Sequence, residues 1–207
     1  MPAFFHHILD DFLTPAFLEE VRSKFHFSET HRMELRTVAK RMLPLMRKEA
    51  FWERKKYRMS GQCPAAESDC VSEIVVMSLG RGIDCLQETY EKRELLLSSY
   101  MVETLAGEIL MRGYEAYRQY IENETGLYVA GYHFPGGEEN FPLSMLPDLL
   151  KECSLQITCN DAFCMIPNKS VAFIAELTYH ENVHCKSICF GCNNKDCPNR
   201  MRDENRQ

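Results

Sequence analysis

Hydrophobic residues in the first part of the chain recur at the spacing of a helix. The apolar positions behind a threonine-proline pair are Phe17, Leu18, Val21 and Phe25. Thr14 followed by Pro15 predicts a helix start, because threonine caps the first turn and proline fits its first position. A second helix is predicted from about Thr30 into a basic stretch, and Pro44 is expected to bend or end it. The opening third is therefore predicted to be helical.

The pattern changes period twice in the middle of the chain. β-branched residues from Glu73 to Leu79 predict a buried strand, and Gly80-Arg81-Gly82 ends it. A long helical pattern follows from about Ile83 to Glu122. Beyond it, Tyr128 to Ala130 is predicted to be extended, and the glycines between Gly131 and Gly137 predict a loop.

The last third predicts a short helix from Leu143 to Cys153 and then three strands joined by tight turns. The strands are predicted at residues 155–159, 162–166 and 171–177. Strands connected this way pair with their neighbours in the chain, which gives a three-stranded antiparallel meander. Because helices and strands are segregated along the chain, the predicted fold class is α+β rather than a doubly wound sheet.

Polar residues and cysteines dominate the chain from His180 onward. The predicted organisation is therefore an α+β domain over residues 1–179, helical to about residue 70, and a cysteine-rich metal-binding tail over residues 180–207. Of the 207 residues, 45% are hydrophobic and 26% are charged, as in ordinary globular proteins. This composition excludes a disordered or fibrous chain.

No apolar run reaches the roughly 18 residues that a membrane span needs. Near the N-terminus, Asp10 and Asp11 stand where the apolar core of a secretory leader would continue. Ten cysteines in a chain without export are expected to be reduced thiols or metal ligands. These features predict a cytoplasmic protein that contacts no membrane.

The net charge of −6 conceals a basic stretch between Arg32 and Arg58. Ten basic residues face three carboxylates there, a surplus of about +7. No nucleic-acid-binding motif accompanies the stretch, so nucleic acid is disfavoured as a partner. The expected use is a solvated helix face or a docking surface for an acidic protein partner.

Four cysteines in the tail are spaced closely enough to bind one metal centre: Cys185, Cys189, Cys192 and Cys197. Short loops between the thiols allow all four to converge without a packed core. A compact run that ends in Cys-Pro favours a [4Fe-4S] cluster, whereas paired Cys-x-x-Cys knuckles are typical of zinc. Both metals remain open at this point, as do four reduced surface thiols.

One face of the long helical region carries a carboxylate among apolar and small residues: Leu96, Tyr100, Glu103, Gly107, Leu110 and Tyr114. A carboxylate is rarely buried without a partner, and Gly107 leaves room for a ligand to approach Glu103. The alternative is a glutamate at the edge of the apolar stripe that reaches solvent. The glycine-rich segment from Gly131 presents a similar choice, because its aromatic rings either line a flat ligand or cover the sheet edge.

Several short motifs follow one another in the second half of the chain. Val76-Met-Ser-Leu-Gly80 precedes the helix bearing Glu103, Gly131-Tyr132 follows in the aromatic segment, and Met165-Ile-Pro-Asn-Lys-Ser-Val171 enters the last strand. This succession resembles the activation domain of cobalamin-dependent methionine synthase over roughly residues 70 to 200. The chain is most similar to the short, free-standing members of that family, which end in a cysteine cluster.

The resemblance implies an α+β fold with a twisted antiparallel sheet and a place in methionine biosynthesis. Members of the family reactivate a corrinoid methyltransferase in its cobalt(II) state, by one-electron reduction and remethylation from S-adenosylmethionine. Residues that match the family's ligand-binding positions are Glu103, Tyr128, Gly131 and Tyr132. The chain lacks Asp-x-His-x-x-Gly, the motif that holds cobalt through histidine, so the corrinoid is expected on the partner methyltransferase.

One departure from the family pattern concerns the methyl donor. The family has Arg-x-x-x-Gly-Tyr, whose arginine pairs with the donor's carboxylate, and Leu127 occupies that position here. Loss of a charge-assisted bidentate pair is expected to weaken binding by about 10- to 150-fold. Two functions stay open beside a less favoured third, a nucleic-acid-binding protein with a basic helix and a zinc tail, and no catalytic residue is assigned. One is reactivation of the methyltransferase, with the tail cluster delivering the electron. The other is a non-catalytic module that binds a corrinoid protein and has a structural zinc tail.

Overall fold

The computed structural model describes residues 3–57, 71–154 and 156–183, together with Cys185 and Ile188. The α-helices of these residues are α1 (Ala3–Asp10), α2 (Pro15–Lys24), α3 (Arg32–Glu49), α4 (Arg81–Lys92), α5 (Leu96–Thr125) and α6 (Leu146–Cys153). The predicted start of α2 is confirmed, since Thr14 Oγ1 accepts a hydrogen bond from the Phe17 amide at 3.3 Å. No helix in this part of the chain is long and apolar enough to cross a membrane.

Antiparallel strands form one main sheet and one small hairpin. The strands of the described residues are β1 (Phe51–Tyr57), β2 (Val71–Ser78), β3 (Tyr128–His133), β4 (Thr158–Cys159), β5 (Met165–Ile166) and β6 (Ser170–Thr178). The main sheet has the order β1-β2-β6-β3, and β4 pairs with β5 separately. All of these pairings are antiparallel. The α+β class predicted from the sequence is confirmed.

The three-stranded meander predicted for the last third is wrong. Only the third predicted strand, β6, joins the main sheet, where it lies between β2 and β3. Most residues of β6 are buried, whereas Thr158 and Ile166 of the hairpin are exposed. A strand with apolar residues on both faces is stabilised most at the centre of a sheet, so β6 pairs with distant strands instead of its chain neighbours.

The main sheet carries a hydrophobic core on each face, because successive side chains of a strand point to opposite sides. On one face, Val75 and Met77 of β2 and Phe173 of β6 pack against residues of α1 to α5. On the other face, Ile74 of β2 and Ile174 of β6 pack with residues of α6. The sheet is thus the middle layer between a large helical layer and a smaller cover.

The basic stretch that was expected to be helical is part helix and part strand. Helix α3 occupies its first part and strand β1 most of the remainder. Pro44 lies inside α3 without ending it, and Lys40, whose carbonyl its missing N–H would have bonded, is exposed to water. Strand β1 is held by aromatic packing, with the ring of Trp52 at 5.0 Å from that of Tyr120. Charged residues occupy the middle of β1 between its aromatic ends, so the sequence does not show the apolar pattern that predicts a strand.

The long helical region predicted over residues 83–122 consists of two helices. A turn separates α4 from α5, and Glu94 in this turn has a left-handed φ of 59°. The amide of Leu95 donates to the carbonyl of Tyr90 at 2.9 Å, which closes the turn. Helical periodicity continues across the break, so the sequence pattern alone does not reveal it.

The junction between β2 and α4 depends on glycine and on Glu49. Gly80 has a φ of +88°, and a Cβ at this position would lie 2.3 Å from the Cβ of Glu49. The amide of Gly82 donates to Glu49 Oε2 at 2.6 Å. The carboxylate therefore satisfies an N–H in the first turn of α4, where negative charge is favoured.

Candidate functional site

The Gly131-Tyr132 pair lies in strand β3 and not in the predicted loop. The strand pairs with β6, and the register shifts just before Gly131, so that Ala130 has no residue opposite it. This bulge explains why Val129 and Tyr132, three positions apart, both pack on the helical face of the sheet. A regular strand would direct them to opposite faces. The bulge therefore sets the direction of the Tyr132 side chain.

Tyr132 belongs to an aromatic cluster between β3, β6 and α5. Its ring centroid lies 6.0 Å from that of Tyr114 and 5.5 Å from that of Phe173. The centroid of Phe134 lies 6.0 Å from the same two rings. Burial, and then the nearby Cys185, raise the pKa of the Tyr132 hydroxyl well above its usual value, so the phenol stays protonated at neutral pH. The rings expected to line a flat ligand thus pack against the core.

Glu103 lies on α5 with its side chain 51% exposed. Its Oε2 pairs with the ammonium of Lys169, which is itself only 7% exposed, and accepts a hydrogen bond from Gln87 Nε2 at 3.1 Å. Partial burial is the largest single influence and opposes ionisation, but the hydrogen bond and charge of Lys169 and the hydrogen bond from Gln87 together hold the pKa of the Glu103 carboxyl below its usual value. Oε1 takes part in neither contact. The position at the edge of the apolar stripe agrees with the second of the two sequence interpretations.

The predicted ligand-binding residues divide into two places. Tyr128, Gly131 and Tyr132 share the bulged strand β3. Glu103 precedes Tyr114, the α5 residue that contacts Tyr132, by eleven positions, or about 16 Å of helix rise. The structure therefore brings the three β3 residues together and sets Glu103 apart from them along α5.

Among the described residues, the arginine beside Tyr132 does not supply the free guanidinium that the sequence resemblance leads us to expect. Leu127 is half-buried and packs against the main core. The charge of Arg118 acts on the Tyr132 hydroxyl, but its guanidinium is bound by Glu115 at 2.5 Å and by Glu122 at 2.9 Å. Leu127 carries no charge, and Arg118 is already paired. Neither residue therefore offers a free cation to the carboxylate of S-adenosylmethionine. Glu103 lies about 33 Å of helix rise before the end of α5 next to Leu127, so one donor molecule cannot contact both positions, and the residues fit this ligand only in part.

His133 was given no role from the sequence, yet the structure places it between two carboxylates. Its Nδ1 lies 2.7 Å from Glu138 Oε1, and its Nε2 lies 3.5 Å from Glu176 Oε2. The bond to Glu176 raises the pKa of the imidazole, burial opposes the rise, and Glu138 adds to it. Neither carboxylate is recognisable in advance, because the sheet pairing of β3 with β6 brings Glu176 from a distant part of the sequence.

Of the predicted metal ligands, Cys185 is buried, while Cys189, Cys192 and Cys197 lie outside the described residues. The amide of Cys185 donates to the carbonyl of Val129 at 2.6 Å, which fixes the start of the tail against β3. Among the described residues, no group of three or more potential metal ligands comes together. The metal centre of the tail therefore stays a prediction.

The fold and the two places on it define an α+β protein in which an antiparallel sheet packs against a long helix. A comparison of the chain with protein-family models finds no match. A search of curated proteins finds none either. The functional argument therefore depends on the residues themselves.

Proposed function

We propose that this chain is an accessory protein that supports the reactivation of a corrinoid methyltransferase, with cobalamin-dependent methionine synthase as the partner. The reaction is the reductive remethylation of the partner's cobalt(II) corrinoid, which uses one electron and the methyl group of S-adenosylmethionine. The sequence resemblance over residues 70 to 200 is the starting point. The three-dimensional arrangement of the resembling segments adds a second, physical reason.

The observation that carries the proposal is the way in which these segments meet around β6. Ser170 at the start of β6 donates to Ser78 of β2, with the two hydroxyl oxygens 2.8 Å apart. The preceding residue, Lys169, pairs with Glu103 of α5. Further along, β6 pairs with the segment that contains Gly131. Motifs far apart in the sequence thus form one connected unit, as is expected of residues that act together.

In this proposal the Glu103 place on α5 and the Tyr132 place on β3 have different roles. Glu103 is accessible, and its Oε1 accepts a hydroxyl or cationic group of a methyl donor that lies at this end of α5, away from Leu127. Tyr132 stays protonated and shapes the edge of the sheet beside which the partner's corrinoid docks. Because the donor's carboxylate lacks a free guanidinium, we expect donor binding to be weak.

We extend the proposal to the tail, in which four cysteines bind one metal centre. The attachment of Cys185 to Val129 supports a position close to Tyr132, since Cys185 is the first of the four ligands. A [4Fe-4S] cluster there supplies one electron at a time, whereas zinc supplies none. The electron-delivery role therefore requires iron.

Electron paramagnetic resonance tests this function, because cobalt(II) has an unpaired electron. A corrinoid methyltransferase in the cobalt(II) state is incubated with reductant and S-adenosylmethionine, with and without the protein. We expect the cobalt(II) signal to fall faster when the protein is present. A Glu103→Gln variant should lose part of this effect, while Glu124→Gln, at an exposed position of the same helix, should keep it. An equal cobalt(II) level with and without the protein would rule out reactivation.

A second candidate function is a non-catalytic module that docks on a corrinoid protein and has a structural zinc tail. Arg118 is bound by two carboxylates, and Glu103 is bound by Lys169. Because these charged groups already have partners inside the protein, they are less available to bind a methyl donor, which favours a non-catalytic module. Calorimetry separates the two functions. Heat on titration with millimolar S-adenosylmethionine supports reactivation, and its absence supports the module.

A further inference from the structure

A groove of about 390 Å³ lies between α2 and α3, far along the chain from the residues discussed above. Its apolar lining comes from Leu13, Pro15, Leu18 and Leu35. Glu19 of α2, which pairs with Arg22 and Arg32, and three exposed residues of α3 complete it: Arg32, Met33 and Arg36. The volume falls within the roughly 300 to 1,000 Å³ of established binding pockets, so it is large enough to accept bulky side chains.

The exposed side of α3 extends the positive charge beyond the groove. Its exposed basic residues are Arg32, Arg36, Lys40, Arg41, Arg47 and Lys48. The two acidic residues of the helix turn towards neighbouring elements, since Glu34 accepts from Ser98 Oγ at 2.6 Å and Glu49 accepts from the Gly82 amide. The solvent-facing side of α3 is therefore cationic without a compensating carboxylate of its own.

Some of the basic side chains of α3 have no partner among the described residues. Within the described residues, the side chains of Arg36, Lys40 and Lys48 make no hydrogen bond or ion pair, whereas Arg32 pairs with Glu19 and Glu29. Arg36 and Lys40 are four positions apart, so both lie on the same side of α3, and Arg36 also lines the groove. Met33, 69% exposed, adds an apolar contact beside them. An apolar groove thus adjoins a row of uncommitted cations.

The chemistry of this surface selects one kind of occupant. Single-stranded nucleic acid is disfavoured because none of the described residues that line the groove has an aromatic ring on which a base could stack. A membrane surface is disfavoured because α3 turns its apolar side into the core and exposes Met33 as its large apolar residue. A protein segment with apolar and acidic side chains satisfies both parts of the surface, with its apolar residues in the groove and its carboxylates on Arg36 and Lys40.

We propose that the groove between α2 and α3 is a docking site for an acidic amphipathic helix of a partner protein. Apolar residues of that helix at spacings of three and four enter the groove, and its glutamates or aspartates face the cationic side of α3. The inference is independent of the reactivation function, because it uses none of the residues assigned to that function.

Fluorescence polarisation tests the inference with a labelled 18-residue helical peptide that has leucines at helical spacing and glutamates at the remaining positions. A peptide in which lysines replace the glutamates, and another in which serines replace the leucines, serve as controls. We expect the acidic amphipathic peptide to bind the full chain and both controls to bind at least tenfold more weakly. Binding should weaken as salt rises, because the contacts between charges are exposed.

Charge reversal locates the binding site. Arg36→Glu with Lys40→Glu should weaken binding of the acidic peptide at least tenfold. Lys92→Glu with Lys151→Glu, two exposed lysines on α4 and α6, changes the net charge equally and should leave the affinity within twofold. Met33→Ser at its exposed position should weaken binding without affecting folding.

Three results would overturn the inference. The first is equal weakening by both pairs of charge reversals, which would mean attraction by net charge alone. The second is tighter binding of single-stranded DNA or of anionic lipid vesicles, removed by the Arg36 and Lys40 changes, because it would assign the surface to another class of partner. The third is self-association of the chain that the same changes abolish, because the occupant would then be a second copy.

Discussion

The two predicted ligand-binding places, one around Tyr132 of β3 and one around Glu103 of α5, differ in how their residues are held. At the Tyr132 place, aromatic rings from α5, β3 and β6 pack against one another with Phe173 fully buried among them. At the Glu103 place, a half-exposed carboxylate meets a buried lysine at the surface of the same helix. The first place is rigid because it is part of the core, and the second is accessible because it lies at the rim.

This difference bears on which residues are able to meet a ligand. Core packing fixes Tyr132 in one orientation, whereas Glu103 keeps one oxygen outside its contacts with Lys169 and Gln87. A substitution at the Tyr132 place should therefore act mainly on stability, and one at the Glu103 place mainly on binding. Substitution of a residue in the aromatic cluster tests that distinction directly.

The largest expected effect is the loss of Phe173, the fully buried member of the aromatic cluster. Phe173→Ala should lower the free energy of unfolding by about 3 to 5 kcal/mol, because it removes buried surface and leaves a cavity. Urea unfolding measures this change. Leu96→Ala, at a 69% exposed position of α5, is the control and should cost under about 0.5 kcal/mol. Equal costs would contradict the contrast between core and rim.

The next effect concerns the missing arginine. For a donor bound at the β3 edge, Leu127→Arg should raise the affinity for S-adenosylmethionine by about 10- to 150-fold, because the guanidinium restores a charge-assisted pair with the donor's carboxylate. A donor bound only at Glu103, about 33 Å of helix rise before the end of α5, should bind the variant with unchanged affinity. Calorimetry measures the dissociation constant, and Leu127→Gln is the uncharged control. An unchanged affinity in the arginine variant would mean that the donor does not bind at the β3 edge.

Breaking the Glu103 to Lys169 pair should cost a different amount from each side. Glu103→Ala leaves the ammonium of Lys169, which is 93% buried, without its carboxylate and should cost about 1 to 3 kcal/mol. Lys169→Met leaves a carboxylate that water can reach and should cost less than about 1 kcal/mol. Chemical denaturation of both variants measures the order. The reverse order would show that Glu103, and not Lys169, is the buried partner.

The smallest effect is the pH dependence due to His133. Its pKa is raised in the folded protein, so its contribution to stability is complete below the unfolded value of about 6.5 and is lost as the pH rises through the folded value. The loss should stay under about 1 kcal/mol because water reaches Glu138. Unfolding at pH 6 and pH 9, compared with His133→Gln, isolates this contribution. An identical pH dependence in the variant would contradict it.

Local patterns predicted much of the fold because they reflect local interactions. Thr14 and Pro15 indicated the start of α2, and β-branched residues indicated β2. Strand β1 was not predicted, because charged residues separate its aromatic ends and because Trp52 packs against a ring of α5, which is distant in the sequence. The position of β6 in the sheet was not predicted either, since its pairing with β2 and β3 depends on the burial of both its faces.

In the candidate site, too, the local features were predicted from the sequence and the long-range contacts were not. Glu103 and Gly131-Tyr132 attracted attention through helical spacing and glycine content, which are local features. The pairing of Glu103 with Lys169 and of His133 with Glu176 depends on contacts between residues that are far apart in the chain. No spacing rule predicts such pairs. The bulge that turns Tyr132 towards the core likewise follows from sheet register, which only the folded structure reveals.

The most direct test of the account is the identity of the metal in anaerobically purified protein, because delivery of one electron requires iron. We expect a brown protein that absorbs at roughly 400 nm, as iron-sulfur proteins do, and that loses its iron in the Cys192→Ser variant. Cys85→Ser, at an exposed cysteine of α4, is the control and should keep the iron. Stoichiometric zinc without iron, in protein never exposed to air, would contradict electron delivery by the tail and favour the non-catalytic module.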